Sequence, residues 1–140
     1  MRYLGIDFGE KRIGVAISDP SGRIAFPLEV IEVREPPFRK ICEIAERYKV
    51  GKIIVGFPRS LSGKIGPQAK KVEDFISELS KHSPVPVERW DEQFTSREAE
   101  RILLEMDMSR KERKIKRNAV AAALILQSYL DFIRGGIEAE

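Results

Sequence analysis

The chain has 140 residues, of which 42% are hydrophobic and 34% charged, and its formal net charge is +3. This length predicts one domain that can bury a core without disulfides or a structural metal. The single cysteine excludes an intramolecular disulfide. No apolar run approaches the roughly 20 residues that a membrane-spanning helix needs. The N-terminus runs directly into a predicted strand rather than a signal peptide, so we expect a cytoplasmic protein with no membrane partner.

The chain opens with a predicted β-hairpin whose first strand ends on an acid, Asp7. Residues 8–11 turn the chain, and residues 12–18 return as a strand of β-branched and small residues. An acid at the end of a buried strand is held at the rim of a sheet, where α/β proteins collect ligands. Phosphoryl chemistry with a divalent cation needs such an acid, because hard cations prefer oxygen ligands. The alternative is an ordinary strand-end acid that faces water.

Two elements follow the hairpin. Residues 23–33 alternate weakly and predict a third strand, and apolar residues recur at helical spacing over 38–48. Three leading strands favour an antiparallel meander. Cys42 lies on the predicted helix, and we interpret it as a small core residue rather than a nucleophile.

The next part of the chain alternates between strand and helix. Residues 52–56 predict a buried strand, residues 57–66 a loop, and Pro67 the first residue of a helix. The loop contains Lys64, but it is not a P-loop because Ile65 follows that lysine. Since the loop leads into a helix N-terminus, Lys64 is a candidate for phosphate contact, with a plain structural loop as the alternative.

A fifth predicted strand, residues 85–90, runs into the acids Asp91 and Glu92. If the first strand is central and the fifth is parallel to it, these acids converge with Asp7 on one rim. Such carboxylates could hold one or two divalent ions. The alternative is that all three acids face water. For Trp90, which precedes the acids, we expect packing in the core rather than stacking on a base.

The last part of the chain is predicted to be helical. Residues 95–98 have the spacing of a capping box and open a helix that includes Met106. A final helix is predicted from about Asn118 to Arg134, and Gly135 and Gly136 are expected to stop it. His82 is interpreted as a surface residue without a role.

Several basic residues are candidates for nucleic-acid contact. A basic run precedes Asn118; such a run is usually a solvated linker, but this one abuts the acids of the predicted site. Contacts to a phosphate backbone would make binding sensitive to salt and largely indifferent to sequence. Near Asp7 the candidates are Lys11 and Arg12, and in the basic run they are Arg110, Lys111, Arg113, Lys114, Lys116 and Arg117.

The predicted order of elements is βββαβαβαα. The three leading strands suit antiparallel pairing, and the two βαβ crossovers suit parallel pairing with helices on the faces. The sequence therefore predicts an α/β fold, a mixed five-stranded sheet flanked by helices, with residues 1–140 forming a single domain.

Four segments together resemble one protein family. They are GIDFGEKRIGVAISD, VGFPRSLSGKIGPQAKKV, WDEQFTS and AAALILQSYLD. In this order they are similar to the YqgF-like family of pre-16S rRNA nucleases, also described as Holliday-junction resolvases, which have an RNase H-like fold. The resemblance covers nearly the whole chain.

The resemblance also implies a site. It implies that Asp7 is a metal ligand and that Glu92 is the second acid, with Asp91 beside it. Family members usually carry a third acid at the position of Asn118 and an arginine at the position of Gln93, so this chain departs from the family twice. Asparagine can offer a carbonyl oxygen to a metal but brings no charge, which should weaken the binding of a second cation.

The resulting hypothesis is a single RNase H-like nuclease domain that uses Mg²⁺ or Mn²⁺ to hydrolyse phosphodiester bonds of structured nucleic acid. Precursor 16S rRNA is the first substrate, and four-way DNA junctions are the second. An alternative of another class is a nucleic-acid-binding protein with weakened catalysis, motivated by Asn118 and Gln93. A sugar-kinase-like or actin-like ATPase is a third, but 140 residues leave no room for its second domain. Monomer and homodimer both remain open.

Overall fold

Eight helices and strands make up the part of the chain that the structure, a computed structural model, describes, namely residues 1–34, 36–58, 66–92 and 109–138. In chain order they are β1 (Tyr3–Asp7), β2 (Arg12–Ser18), β3 (Ala25–Glu32), α1 (Phe38–Arg47), β4 (Lys52–Pro58), α2 (Pro67–His82), β5 (Val87–Glu92) and α3 (Arg110–Glu138). The helix predicted from residue 95 lies outside the described residues.

The five strands form one sheet in the order β3-β2-β1-β4-β5. β1 pairs antiparallel with β2, and β2 with β3, whereas β1–β4 and β4–β5 are parallel. The predicted mixed sheet is confirmed, and β1 is its central strand. Because β1, β4 and β5 run in the same direction, their carboxyl ends meet at one rim.

Each face of the sheet carries its own apolar core. Alternate strand residues such as Leu4, Ile6 and Ile53 pack with α1 and α2 on one face. On the other face Ala16 and Ile54 pack with the apolar side of α3. The alternation of side chains along each strand therefore assigns every residue near the rim to the α2 side or the α3 side of the sheet.

β3 forms one edge of the sheet and carries two features that oppose pairing with another strand. Pro27 lacks a backbone N–H. The register shifts between Val15 and Ala16, whose partners are Glu29 and Pro27, so Leu28 is the extra residue of a bulge. A proline and a bulge are common ways of blocking edge-to-edge association.

The C-terminal helix differs from the prediction at both ends. It begins at Arg110 rather than near Asn118, so the basic run is not a linker but the first two turns of α3. The Ser109 hydroxyl accepts a hydrogen bond from the Glu112 backbone N–H at 3.2 Å. Ser109 and Glu112 have the spacing of a capping box, which is the signal that locates this start.

The predicted stop at Gly135 and Gly136 is also wrong, because α3 continues to Glu138. A glycine in an exposed helix costs only about 1 kcal/mol relative to alanine, which a long, packed helix tolerates. Smaller differences affect two strands: β4 extends to Pro58, and β5 spans Val87–Glu92 rather than 85–90. In the part of the chain that is described, no helix is long and apolar enough to cross a membrane.

A polar cluster fastens α3 to the sheet far from the rim. The Lys52 ammonium lies 2.5 Å from a Glu88 carboxylate oxygen and donates to the Tyr129 hydroxyl at 3.2 Å, and that hydroxyl donates to Glu88 at 3.1 Å. The hydrogen bond from Lys52 lowers the pKa of Glu88, and the bond to Glu88 raises the pKa of Lys52. The cluster is fully formed only where Glu88 is charged and Lys52 is protonated.

We expect this cluster to shape the pH dependence of stability. The Glu88 contribution is present above the unfolded pKa of about 4.3 and is lost as pH falls through the lowered folded pKa. Glu88→Gln should lower the free energy of unfolding at pH 7 by about 0.5–1 kcal/mol, because the pair is partly exposed. Urea unfolding at pH 7 and pH 3 measures this. A difference between variant and wild type that is as large at pH 3 as at pH 7 would contradict it.

Candidate active site

A cleft of about 440 Å³ opens at the carboxyl ends of β1 and β4. Its floor is formed by the ends of these two strands, one wall by α3, and the other wall by the first turns of α2. The described residues that line it are Asp7, Phe8, Gly56, Pro58, Gln68, Val72, Arg117 and Asn118. The rim where the sequence places its leading acid is therefore a concave site.

Asp7 and Asn118 are brought together in this cleft from opposite ends of the sequence. The Asn118 side-chain amide donates a long hydrogen bond of 3.5 Å to the Asp7 carboxylate. Both side chains are half-buried. The contact joins the last residue of the central strand to the third turn of α3.

Gly14 allows this contact because it lets α3 approach the sheet closely. It is the β2 partner of Asp7. A Cβ atom built on Gly14 would lie only 1.8 Å from the backbone carbonyl oxygen of Asn118. The obstacle is helix backbone rather than a flexible side chain, so any larger residue must displace α3 from Asp7.

The turn after Asp7 is fastened to α2 on the other wall. The Phe8 ring stacks on Phe75 with 4.6 Å between ring centroids. Glu10 forms an ion pair with Lys71, and this contact lowers the pKa of Glu10. An aromatic stack and an ion pair thus hold the turn that follows Asp7 against α2.

The two acids of β5 occupy different positions. Asp91 pairs in register with Phe57, is exposed, and lies 3.8 Å from Arg89, which also contacts Glu73 of α2. These contacts place Asp91 on the α2 side of the sheet, whereas Asp7 contacts α3. Glu92 is the last residue of β5 and is paired with Pro58 at the edge of the cleft.

The predicted basic residues are distributed unevenly. Arg117 lines the cleft, and Arg110, Lys111 and Lys116 are exposed on the first turns of α3. Arg113 is partly buried on the same turns, and Lys114 belongs to the same helix. Lys64 lies outside the described residues.

The two basic residues of the hairpin lie outside the described lining of the cleft. Arg12 forms an ion pair with Glu32 at 3.2 Å, and Lys11 is exposed beside the turn. Of these two arginines, the structure therefore places Arg117, and not Arg12, on the described lining of the cleft that contains Asp7.

Three residues that were assigned no catalytic role have structural contacts. Trp90 packs edge-on against Tyr129, with 5.5 Å between centroids, as its predicted packing role requires. His82 is exposed and stacks on Phe38. Cys42 is half-buried beside the His82 carbonyl, and burial raises the pKa of its thiol, which disfavours the reactive thiolate.

The cleft offers oxygen ligands of the kind that hard cations prefer. Asp7 provides a carboxylate, and Asn118 provides an amide oxygen once its side chain turns. Among the described residues no group of three or more His, Cys, Asp or Glu side chains is placed to hold a metal ion. These oxygen donors are of the type that Mg²⁺ and Mn²⁺ prefer. The site would contain two acids only if the Glu92 carboxylate also binds the ion.

Comparison with known proteins identifies the family. A family model described as RuvX, Holliday junction resolvase, matches residues 1–132. The chain belongs to the RuvX family. RuvX is another name for the YqgF family that the four sequence segments resemble, so the resemblance is confirmed. Two relatives match nearly the whole chain. A protein of Desulforudis audaxviator is 44% identical over 97% of this chain and 98% of its own length, and one of Pelotomaculum thermopropionicum is 47% identical over 94% and 87%. Both are described as pre-16S rRNA nucleases.

Solved structures show the same fold at low sequence identity. RuvC of Thermus thermophilus matches with a TM-score of 0.55 at 15% identity, covering 96% of this chain and 97% of that one. The Fowlpox virus resolvase in complex with Holliday junction DNA matches with a TM-score of 0.58 at 15% identity, covering 95% and 99%. The RuvX chain therefore has the RNase H-like fold of these resolvases, as predicted.

Proposed function

We propose that this protein is a metal-dependent endonuclease that hydrolyses phosphodiester bonds of structured RNA, with precursor 16S rRNA as its substrate. The observation that carries the proposal is the cleft in which Asp7 and Asn118 meet beside Arg117. The names of the RuvX relatives support the choice of substrate, since both are described as pre-16S rRNA nucleases.

In this proposal Asp7, Glu92 and Asn118 hold Mg²⁺ or Mn²⁺. A bound divalent cation would supply a polarised phosphoryl oxygen and an activated water. The strand register supports Glu92 over Asp91. Position 92 has the parity of Trp90, which packs against α3, so alternation assigns it to the face on which Asp7 contacts Asn118.

Arg117 and the basic turns of α3 bind the substrate backbone in this account. Arg117 lies on α3 one residue before Asn118 and lines the cleft, where it can neutralise a phosphate oxygen. Arg110 and Lys111 continue the positive charge over about 10 Å of helix, given a rise of about 1.5 Å per residue. A rigid helix presents these charges at fixed spacing, which a linker would not do.

We also propose the compartment in which the protein acts and its oligomeric state. Precursor rRNA is met in the bacterial cytoplasm, so we assign the protein to that compartment. A monomer is sufficient to cut one RNA strand, and the blocked edge of β3 argues against association through that strand.

Cleavage of a four-way DNA junction is the second candidate. It is favoured by the description of the family model and by the fold shared with the Fowlpox virus resolvase. A binding protein with weakened catalysis is the third, because Asn118 supplies no charge.

The test compares both substrates under the same conditions. Purified protein with Mg²⁺ or Mn²⁺ is incubated with precursor 16S rRNA and with a synthetic four-way junction, and products are mapped at nucleotide resolution. We expect cuts at defined positions in the rRNA and none in the junction. Symmetric cuts in the junction alone would favour the second candidate. Binding without cleavage in Mn²⁺ would favour the third.

A further inference from the structure

The two walls of the cleft differ in their polar groups. The α3 wall contributes the cation Arg117 and the amide of Asn118. The α2 wall contributes Gln68 and the buried Val72, so Gln68 is the polar side chain that the described part of α2 presents to the cleft. Gln68 lies within one of the four segments that carry the family resemblance, but the sequence assigned it no role.

Gln68 is uncommitted within the described part of the chain. The Asn118 amide is engaged with Asp7, whereas the Gln68 side chain is exposed and makes no hydrogen bond to any described residue. A glutamine amide has two donor hydrogens and one acceptor oxygen available for a ligand.

The position of Gln68 is fixed although its side chain is exposed. It is the second residue of α2, after Pro67, and its neighbour Ala69 is buried against the sheet. Val72, one turn further on, lines the same cleft and is 2% exposed. The helix backbone therefore fixes where the Gln68 side chain starts, on the α2 wall of the cleft that contains Asp7.

We propose that Gln68 contacts the ribose of the nucleotide next to the scissile phosphate and reads its 2′-hydroxyl. This inference rests on the proposed function. A hydroxyl is both donor and acceptor, and a neutral amide matches both roles, whereas Arg117 is suited to phosphate and Asp7 to a cation. The 2′-hydroxyl is the group by which a protein distinguishes RNA from DNA at one position. Gln68 is thus a specificity-determining residue on the α2 wall.

The experiment measures binding of an RNA hairpin and of a DNA hairpin of the same sequence by fluorescence anisotropy, without added divalent cation. Gln68→Leu removes the amide and keeps a similar volume. We expect it to weaken RNA binding about 5-fold, the worth of one neutral hydrogen bond, and to change DNA binding less than 2-fold. Ser77→Ala, an exposed change on α2 outside the cleft, is the matched control and should alter neither affinity. Thermal melting confirms that each variant is folded.

Equal weakening on RNA and DNA, or no weakening on RNA, overturns the inference. These outcomes are separable from failure of the proposed function. If the wild type cuts precursor rRNA and Gln68→Leu binds RNA normally, only the inference is lost. If the wild type cuts nothing but Gln68→Leu selectively weakens RNA binding, the ribose contact stands and the nuclease proposal falls.

Discussion

Asp7→Asn is expected to reduce cleavage of precursor rRNA about 1000-fold while leaving the fold intact. In the proposed site, loss of a charged cation ligand would remove several kcal/mol of transition-state stabilisation, and about 4 kcal/mol corresponds to 1000-fold. The asparagine oxygen can still accept the hydrogen bond from Asn118, so the melting temperature should stay near that of the wild type. RNA affinity should be unchanged or higher, because a negative charge leaves the cleft. Single-turnover cleavage and anisotropy measure the two effects.

Asp74→Asn is the matched control for this change. Asp74 is an exposed acid of α2 that lies outside the described lining of the cleft. The Asp74→Asn substitution makes the same change in charge and size as Asp7→Asn, and we expect cleavage to remain within 2-fold of the wild type. A similar residual activity in both variants would mean that the observed nuclease is a contaminant or that Asp7 is not in the active site.

Gly14→Ala is expected to lower the free energy of unfolding by about 3 kcal/mol, the upper part of the range for overpacking. The new methyl group would meet the Asn118 carbonyl oxygen, which lies 1.8 Å from the Cβ position, so α3 must move. Cleavage should fall as well, because the shift separates Asn118 and Arg117 from Asp7. Urea unfolding and single-turnover cleavage report the two effects.

Gly135→Ala provides the opposite control on α3, away from the contact with β2. Gly135 is an exposed residue of α3, and a Cβ atom there would meet nothing within 4 Å. Alanine should therefore stabilise the helix by up to about 1 kcal/mol. If Gly14→Ala proved as harmless as Gly135→Ala, the close approach of α3 to β2 would not be what places Asn118 at Asp7.

Much of the fold follows from local patterns in the sequence. Period-two alternation and short apolar runs locate the strands, and Pro67 marks the start of α2. The parallel pairing of β1 with β4 follows from the crossover through α1, since parallel strands need such a connection. The positions of the strands and of α2 depend on neighbours in sequence, and the direction of β4 follows from the order of elements, so both can be predicted from sequence alone.

The start of α3 could have been predicted, but the high density of basic residues there is typical of a solvated linker. A run with six basic residues has no apolar periodicity and resembles a solvated linker. Arginine and lysine are nonetheless good helix formers, and Ser109 supplies a cap. The helical start matters for function, because a helix places Arg117 on the lining of the cleft that contains Asp7.

The structure of the cleft depends on contacts that the sequence pattern does not contain. The approach of Asn118 to Asp7 requires the exact fit of α3 on Gly14, and the exposure of Gln68 depends on how α2 crosses β4. Asp91 and Glu92 follow the predicted end of β5 at residue 90, and only the structure shows that the strand includes them and that Asp91 lies on the α2 side. The site needs three-dimensional information because Asp7 and Asn118 lie 111 residues apart in sequence.

The proposed nuclease requires Asp7 and Asn118 to bind the same cation. The most direct measurement is titration of Mn²⁺ into ¹⁵N-labelled protein, followed at the side-chain amides by NMR. We expect paramagnetic broadening of the Asn118 amide at lower Mn²⁺ concentration than that of Gln127, which is bonded to Asp131 further along α3. The difference should vanish in Asp7→Asn. An Asn118 amide that broadens no more than Gln127, or that broadens equally without the Asp7 carboxylate, would contradict the account.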